Sequence, residues 1–168
     1  REQAPYAYKE QTNVGILAGA ASRIGWAALE ECAVKRIIAS TEHPGRVDLS
    51  LWNDKGQKFL LEAKLTVRSV ATLKNRLKIV VANAIDDVEK LQYPEAKSYA
   101  VVFVIPRFDK SADDHTVKEG IESTIDLCRK QAPDFLAHVF PGCVTRKGSD
   151  HMDKDQCAYG IIVLGFCR

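Results

Sequence analysis

Apolar and polar positions alternate most regularly between Gly45 and Leu65. Val47, Leu49 and Leu51, then Phe59, Leu61, Ala63 and Leu65, share one side of a two-residue period. Asp48, Ser50, Trp52, Lys58, Leu60, Glu62 and Lys64 share the other. Such alternation predicts two strands, with the wholly apolar side in the core. Between them stands Asn53-Asp54-Lys55-Gly56. A three-residue loop over 54–56, with Gly56 as its left-handed residue, closes the pair into a β-hairpin. The register then sets Asn53 against Gln57, Trp52 against Lys58, Ser50 against Leu60 and Asp48 against Glu62.

Elsewhere the period lengthens. Residues 22–40 predict a helix with Ser22 as N-cap. Trp26, Ile37, Val34, Ala27, Ile38, Ile24 and Ala28 then form one apolar arc, with Glu31 near its middle and Glu30 within it. His43-Pro44-Gly45 predicts the turn into the hairpin. Residues 69–91 predict a second helix, with Val70, Leu73, Leu77, Val80, Val81, Ala84, Val88 and Leu91 as its core stripe. Ser98 to Ile105 is an almost unbroken apolar run, suited to a central strand. Strand, helix and strand in this order predict a right-handed crossover and a parallel pair in a mixed sheet. A third helix is expected over 116–131, capped by Asp113-Asp114. Short strands are expected near 137–140, where His138 stands as a structural histidine, and over 158–166. Residues 1–13 suggest a polar arm, and 14–21 a short strand or the approach to the first helix.

The expected fold is therefore α/β: a single domain over 1–168, with a central mixed β-sheet flanked by helices. The chain of 168 residues is long enough for one real core. It is 46% apolar and 27% charged, as in ordinary globular proteins. No apolar run reaches the ~20 residues of a membrane span, so no membrane partner is expected. A net charge of +2 does not announce a nucleic-acid binder, so any basic footprint must be local. Five cysteines without a Cys-x-x-Cys pair point to reduced thiols, an intracellular reducing compartment and no zinc site. The chain begins at Arg1 rather than Met, as a fragment of a longer protein would.

The polar face of the hairpin carries the candidate chemistry. Asp48 and Glu62 would stand ~5 Å apart across the strands, and opposed like charges are unfavourable. A hard divalent cation with oxygen ligands would relieve them. Lys64 follows on the same side. An acid, then Glu-x-Lys on the next strand, resembles the PD-(D/E)XK nuclease superfamily, the restriction-endonuclease-like fold. The resemblance covers a core of about 22–105, with 106–168 as a C-terminal α/β extension. Val47 replaces the usual proline before Asp48, and residues 40–45 leave little room for the third strand that usually precedes the second core helix. The plainer alternative is a surface hairpin with an ordinary Asp/Glu/Lys cluster.

The resemblance implies a Mg²⁺-dependent nuclease, with Mn²⁺ able to substitute. Asp48 and Glu62 would hold the metal, the Ala63 carbonyl would add a ligand, and Lys64 would orient or deprotonate the attacking water. The family's first helix often supplies a further glutamate, which makes Glu31 the first choice and Glu30 the second. The alternative is that these two pair with a basic neighbour such as Lys35. Arg68, Lys74, Arg76 and Lys78 crowd the start of the second helix, against its dipole. Phosphate contact is one account of them, and a solvated face the other. The resemblance favours DNA over RNA as partner, and cutting both strands of a duplex would favour a homodimer. A nuclease-like module that only binds nucleic acid or protein is the rival function. His-x-Asp-x-Asp at 151–155 is expected to be solvated loop. No Gly-rich phosphate loop, Gly-x-Ser-x-Gly or His-Glu-x-x-His occurs.

Overall fold

A computed structural model describes residues 9–140 and 156–168. The elements run α1 (Glu10–Arg23), β1 (Ala27–Ile38), β2 (Thr41–Trp52), β3 (Lys58–Ser69), α2 (Val70–Glu89), β4 (Ala96–Asp109), α3 (Asp114–Arg129), β5 (Phe135–Val139), β6 (Gln156–Ala158) and β7 (Ile161–Cys167). The sheet is mixed, in the order β1-β2-β3-β4-β7-β5, with β6 on the end of β4. β3 and β4 are parallel and joined through α2, as the sequence predicts. The other pairs are antiparallel.

The first predicted helix is a correction. Residues 27–38 form strand β1, and the helix lies earlier, over 10–23. Val14, Ala18 and Ala21 recur at helical spacing and pack α1 onto Leu49, Leu51, Leu61, Ala63, Val101 and Phe103. A second correction is the turn. Ala39 and Ser40, with φ of 49° and 66°, close the β1–β2 hairpin between Ile38 and Thr41. His43-Pro44-Gly45 pairs within β2 instead. Pro44 is tolerated because β3 does not extend alongside β2 there, so its missing N–H leaves no gap in a ladder.

The 54–56 loop and the hairpin register match expectation as far as Leu49–Leu61; the expected Asp48–Glu62 pair does not form, because β2 leaves β3 there. Gly56 has φ 72°, and Asn53 N–H donates to the Gln57 carbonyl at 3.1 Å. Leu61, Leu60, Phe59 and Lys58 pair with Leu49, Ser50, Leu51 and Trp52. However, both faces of the sheet are covered. Leu73, Leu77, Val80, Val81, Ala84 and Val88 of α2 pack with Cys128 of α3 onto Val102, Val104, Ile162 and Leu164. Leu60, on that same face, is fully buried.

β1 and β2 bend sharply at one point. Glu31 has φ 52°, and the ladder skips the Glu31–Asp48 pair while keeping its register on either side. Beyond the bend the alternation flips, so Val47 packs with Val34, Leu60 and Leu91 rather than beneath α1. The far half of the hairpin is thereby folded over the end of α2. There Ile37 N–H donates to the Lys90 carbonyl at 2.8 Å, and Gln92 N–H to the Lys35 carbonyl at 3.1 Å.

Ala39 and Ser40 hold a left-handed turn without the residues that favour one. Changing the pair to Asn-Gly should raise the unfolding free energy by about 1 kcal/mol, with the denaturant slope unchanged. Urea denaturation checks this.

Candidate functional site

The β2–β3 ladder ends at Leu49–Leu61, one step before Asp48 would meet Glu62. Side chains take over from the missing strand. Asp48 Oδ2 accepts the Ala63 N–H at 2.7 Å, and Glu10 Oε2 accepts the Leu65 N–H at 2.8 Å. N–H and C=O of one residue in a strand point to the same edge. The Ala63 carbonyl therefore points into the gap that β2 has left.

Glu62 and Lys64 project from the opposite face of β3 to Ala63, toward α2. Glu62 is buried, at 3% exposure. Its Oε1 accepts a charge-assisted hydrogen bond from Arg36 Nη2, and the same nitrogen donates to the Arg46 carbonyl at 2.5 Å. Burial, then the nearby Asp48 charge, push the Glu62 carboxyl up to about 8, with Arg36 and Lys64 pulling the other way. Lys64 Nζ lies 2.8 Å from Asp87 Oδ2 of α2. Burial disfavours the Lys64 ammonium, but the Asp87 bond and the Asp87, Glu10 and Asp48 charges outweigh it and hold its pKa above the usual range. Lys64 is thus a fixed cation in this state. Asp87 shows the converse: burial works against its carboxylate, yet Lys64 and Lys90 keep its pKa below the usual range.

The three sequence-predicted residues Asp48, Glu62 and Lys64 are therefore neighbours, and Ala63 is bound to Asp48. Glu31 and Glu30 are not part of the group. With no helix at 22–40, both stand on β1. Glu31 approaches Arg46 at 4.0 Å on the surface, and Glu30 lies beside Gly15 of α1. Neither is among the charges that most perturb Glu62. The first-helix glutamate is Glu10, whose carboxyl is raised by burial and by Asp48, with Lys64 acting against them. The sequence pattern does not reveal it, because residues 10–13 read as a polar arm. Arg36, Asp87 and Glu10 were all missed, since only the folded hairpin and α2 bring them to β3.

Arg68, Lys74, Arg76 and Lys78 are all exposed, and Lys74, Arg76 and Lys78 form no ion pair among the described residues. Asp113 caps α3 by accepting the Thr116 N–H at 2.7 Å, as expected. His138 is on β5 but exposed. The His-x-Asp-x-Asp run lies outside the described residues. Among the described residues, no three His, Cys, Asp or Glu side chains converge to hold a metal. A cation at this site would take two carboxylates and a carbonyl. No family model matches the chain, and no curated protein or solved structure matches it.

Glu62 binds its proton more tightly in the folded chain, at about 8 against 4.5 for a free glutamate. The folded state then holds more protons than the unfolded one between those values, so its stability falls as pH rises through that window. Without added metal, the loss should be on the order of a few kcal/mol, and Glu62→Gln should remove most of it. Denaturation of both proteins across pH 5 to about 8.5 checks the slope.

Proposed function

We propose that this protein is a metal-dependent nuclease that hydrolyses phosphodiester bonds through Asp48, Glu62 and Lys64, on DNA in preference to RNA. One observation carries the reading: a buried carboxylate and a second one beside it flank the gap where β2 leaves β3. Asp48 Oδ1 and Glu62 Oε2 accept no hydrogen bond from the described residues. With the Ala63 carbonyl they make a hard, all-oxygen donor set. Mg²⁺ or Mn²⁺ binds such sets through one or two carboxylates and keeps several waters, so the residues fit the ion. The order α1, three antiparallel-paired strands, α2 and parallel β4 supports the resemblance, with β1 as the third strand ahead of α2.

When bound, the cation supplies Lewis-acid polarisation of the phosphate and of the attacking water. Lys64, kept charged by Asp87, orients that water and offsets negative charge at phosphorus; its raised pKa argues against a role as the base. Glu10 holds the Leu65 amide and so fixes β3 beside the reacting atoms. The water oxygen bonds to phosphorus as one ester P–O bond breaks. The water's proton passes to bulk solvent and the departing oxygen takes one up from solvent, leaving an alcohol and a phosphate monoester. Arg68, Lys74, Arg76 and Lys78 hold the backbone of the nucleic acid.

The rival reading, a non-catalytic module that binds nucleic acid or protein, has its own support. Arg36 already pairs with Glu62, and Asp87 already pairs with Lys64, so both members of the Glu-x-Lys motif have partners without a cation.

The two readings separate on plasmid, linear duplex, single-stranded DNA and RNA, in Mg²⁺, Mn²⁺ or EDTA. A nuclease cuts only with metal, and Glu62→Ala and Lys64→Ala, both folded, should each be slower by at least about a hundredfold. No cleavage under any metal condition, with no cation binding that Glu62→Ala removes, would sink the catalytic reading. Separately, Arg76→Ala should weaken DNA binding uniformly across sequences and lower the slope of log K against log salt by about one.

A further inference from the structure

Arg36 touches Glu62, one of the two carboxylates, but has no part in the chemistry above. It starts on the far half of β1 and crosses β2 to reach Glu62. Its path runs over Gly45. A Cβ there would stand 2.7 Å from Arg36 Nε, 2.8 Å from Cδ and 3.0 Å from Cγ. Gly45 is not in a left-handed conformation, so its missing side chain provides space rather than backbone freedom.

Only one arm of the guanidinium is used. Nη2 donates to both the Arg46 carbonyl and Glu62 Oε1, while Nη1 and Nε donate to no described residue. The side chain keeps 18% exposure, against 4% for Glu62. Released from Glu62, Nη2 completes a planar donor fork that matches two oxygens of a phosphate, which an ammonium cannot do. A divalent cation between Asp48 and Glu62 would repel a guanidinium seated on the same carboxylate. The displaced group stays tethered by its stem over Gly45. It remains beside the gap, where a phosphate group would bind.

We infer that Arg36 is a phosphate-binding residue of this site, held on Glu62 until a divalent cation displaces it onto the substrate. This rests on the nuclease reading. It makes Arg36 a competitor of the cation in the free protein and a partner of the phosphate in the complex. A merely structural arginine would do neither.

The test uses the full chain and three variants: Arg36→Ala, Arg36→Lys and Gly45→Ala, whose new methyl pushes the Arg36 stem aside. Mn²⁺ binding is measured by calorimetry at about pH 8.5, where protons compete least for Glu62. Binding of a DNA oligonucleotide is measured with Ca²⁺ in place of Mg²⁺, and its cleavage with Mg²⁺. Arg36→Ala should bind Mn²⁺ about tenfold more tightly, yet bind the oligonucleotide about tenfold more weakly and cut it more slowly. Arg36→Lys should fall between, since it keeps the charge and loses the fork. Gly45→Ala should also bind Mn²⁺ more tightly, and it carries the test if Arg36→Ala does not fold. Unchanged or weaker Mn²⁺ binding in Arg36→Ala, or unchanged oligonucleotide affinity, overturns the assignment. If the wild type binds no Mn²⁺ in a manner that Glu62→Ala removes, the nuclease reading falls and this inference with it. If the wild type binds Mn²⁺ and cuts while Arg36→Ala cuts equally well, only the role of Arg36 falls.

Discussion

The hydrogen bond from the Ala63 amide to Asp48 is the constraint on which the rest of the site depends. It replaces a ladder bond at the step where β2 leaves β3. Without a substitute acceptor, a strand amide in the middle of the domain would lose its partner, an unfavourable outcome away from water. With the substitute in place, β2 is free to bend away at Asp48 and β1 to bend with it at Glu31. The bend directs the far half of the hairpin over α2. That path brings Arg36 to Glu62 and seals Val34, Val47, Leu60 and Leu91 into a small core of their own.

The consequences are electrostatic. β3 has α1 on one face and α2 on the other, so a carboxylate on it is removed from water. Glu62 is in that position, and the second acid beside it adds to the cost. Two cationic side chains offset this charge from different elements, Arg36 from β1 and Lys64 from β3 itself. Lys64 is in turn shared with Asp87 at the end of α2. The two cations offset only part of the negative charge, and two carboxylate oxygens stay unused among the described residues, which is where the proposed chemistry enters.

How much of this was legible follows from local against long-range signals. The β2–β3 hairpin could be read because alternation, the Asn53–Gln57 loop and Gly56 all give one register. β4 and α2 could be read because a buried parallel strand and an amphipathic helix have distinct patterns. β1 could not. Glu31 takes a left-handed conformation midway, and the strand at the sheet edge exposes both faces, so no two-residue period survives and its apolar residues fall on a helical arc by accident. α1 was hidden for the opposite reason: its contact with the sheet is made by Val14, Ala18 and Ala21, small residues with little amphipathic contrast. Asp48, Glu62 and Lys64 were found because one hairpin holds all three. Glu10, Arg36 and Asp87 were not, because each arrives from a different element.

Two amides of the central strand, Ala63 and Leu65, are held by carboxylates rather than by a neighbouring backbone, one from residue 48 and one from residue 10. Their resonances and exchange rates therefore depend on ionisable side chains that lie far from them in the chain. Any event that draws Asp48 or Glu10 elsewhere registers on β3 itself, as a loosened amide amid otherwise protected neighbours. The strand thus carries its own witnesses to the state of the gap beside it, legible by nuclear magnetic resonance without a label or a ligand.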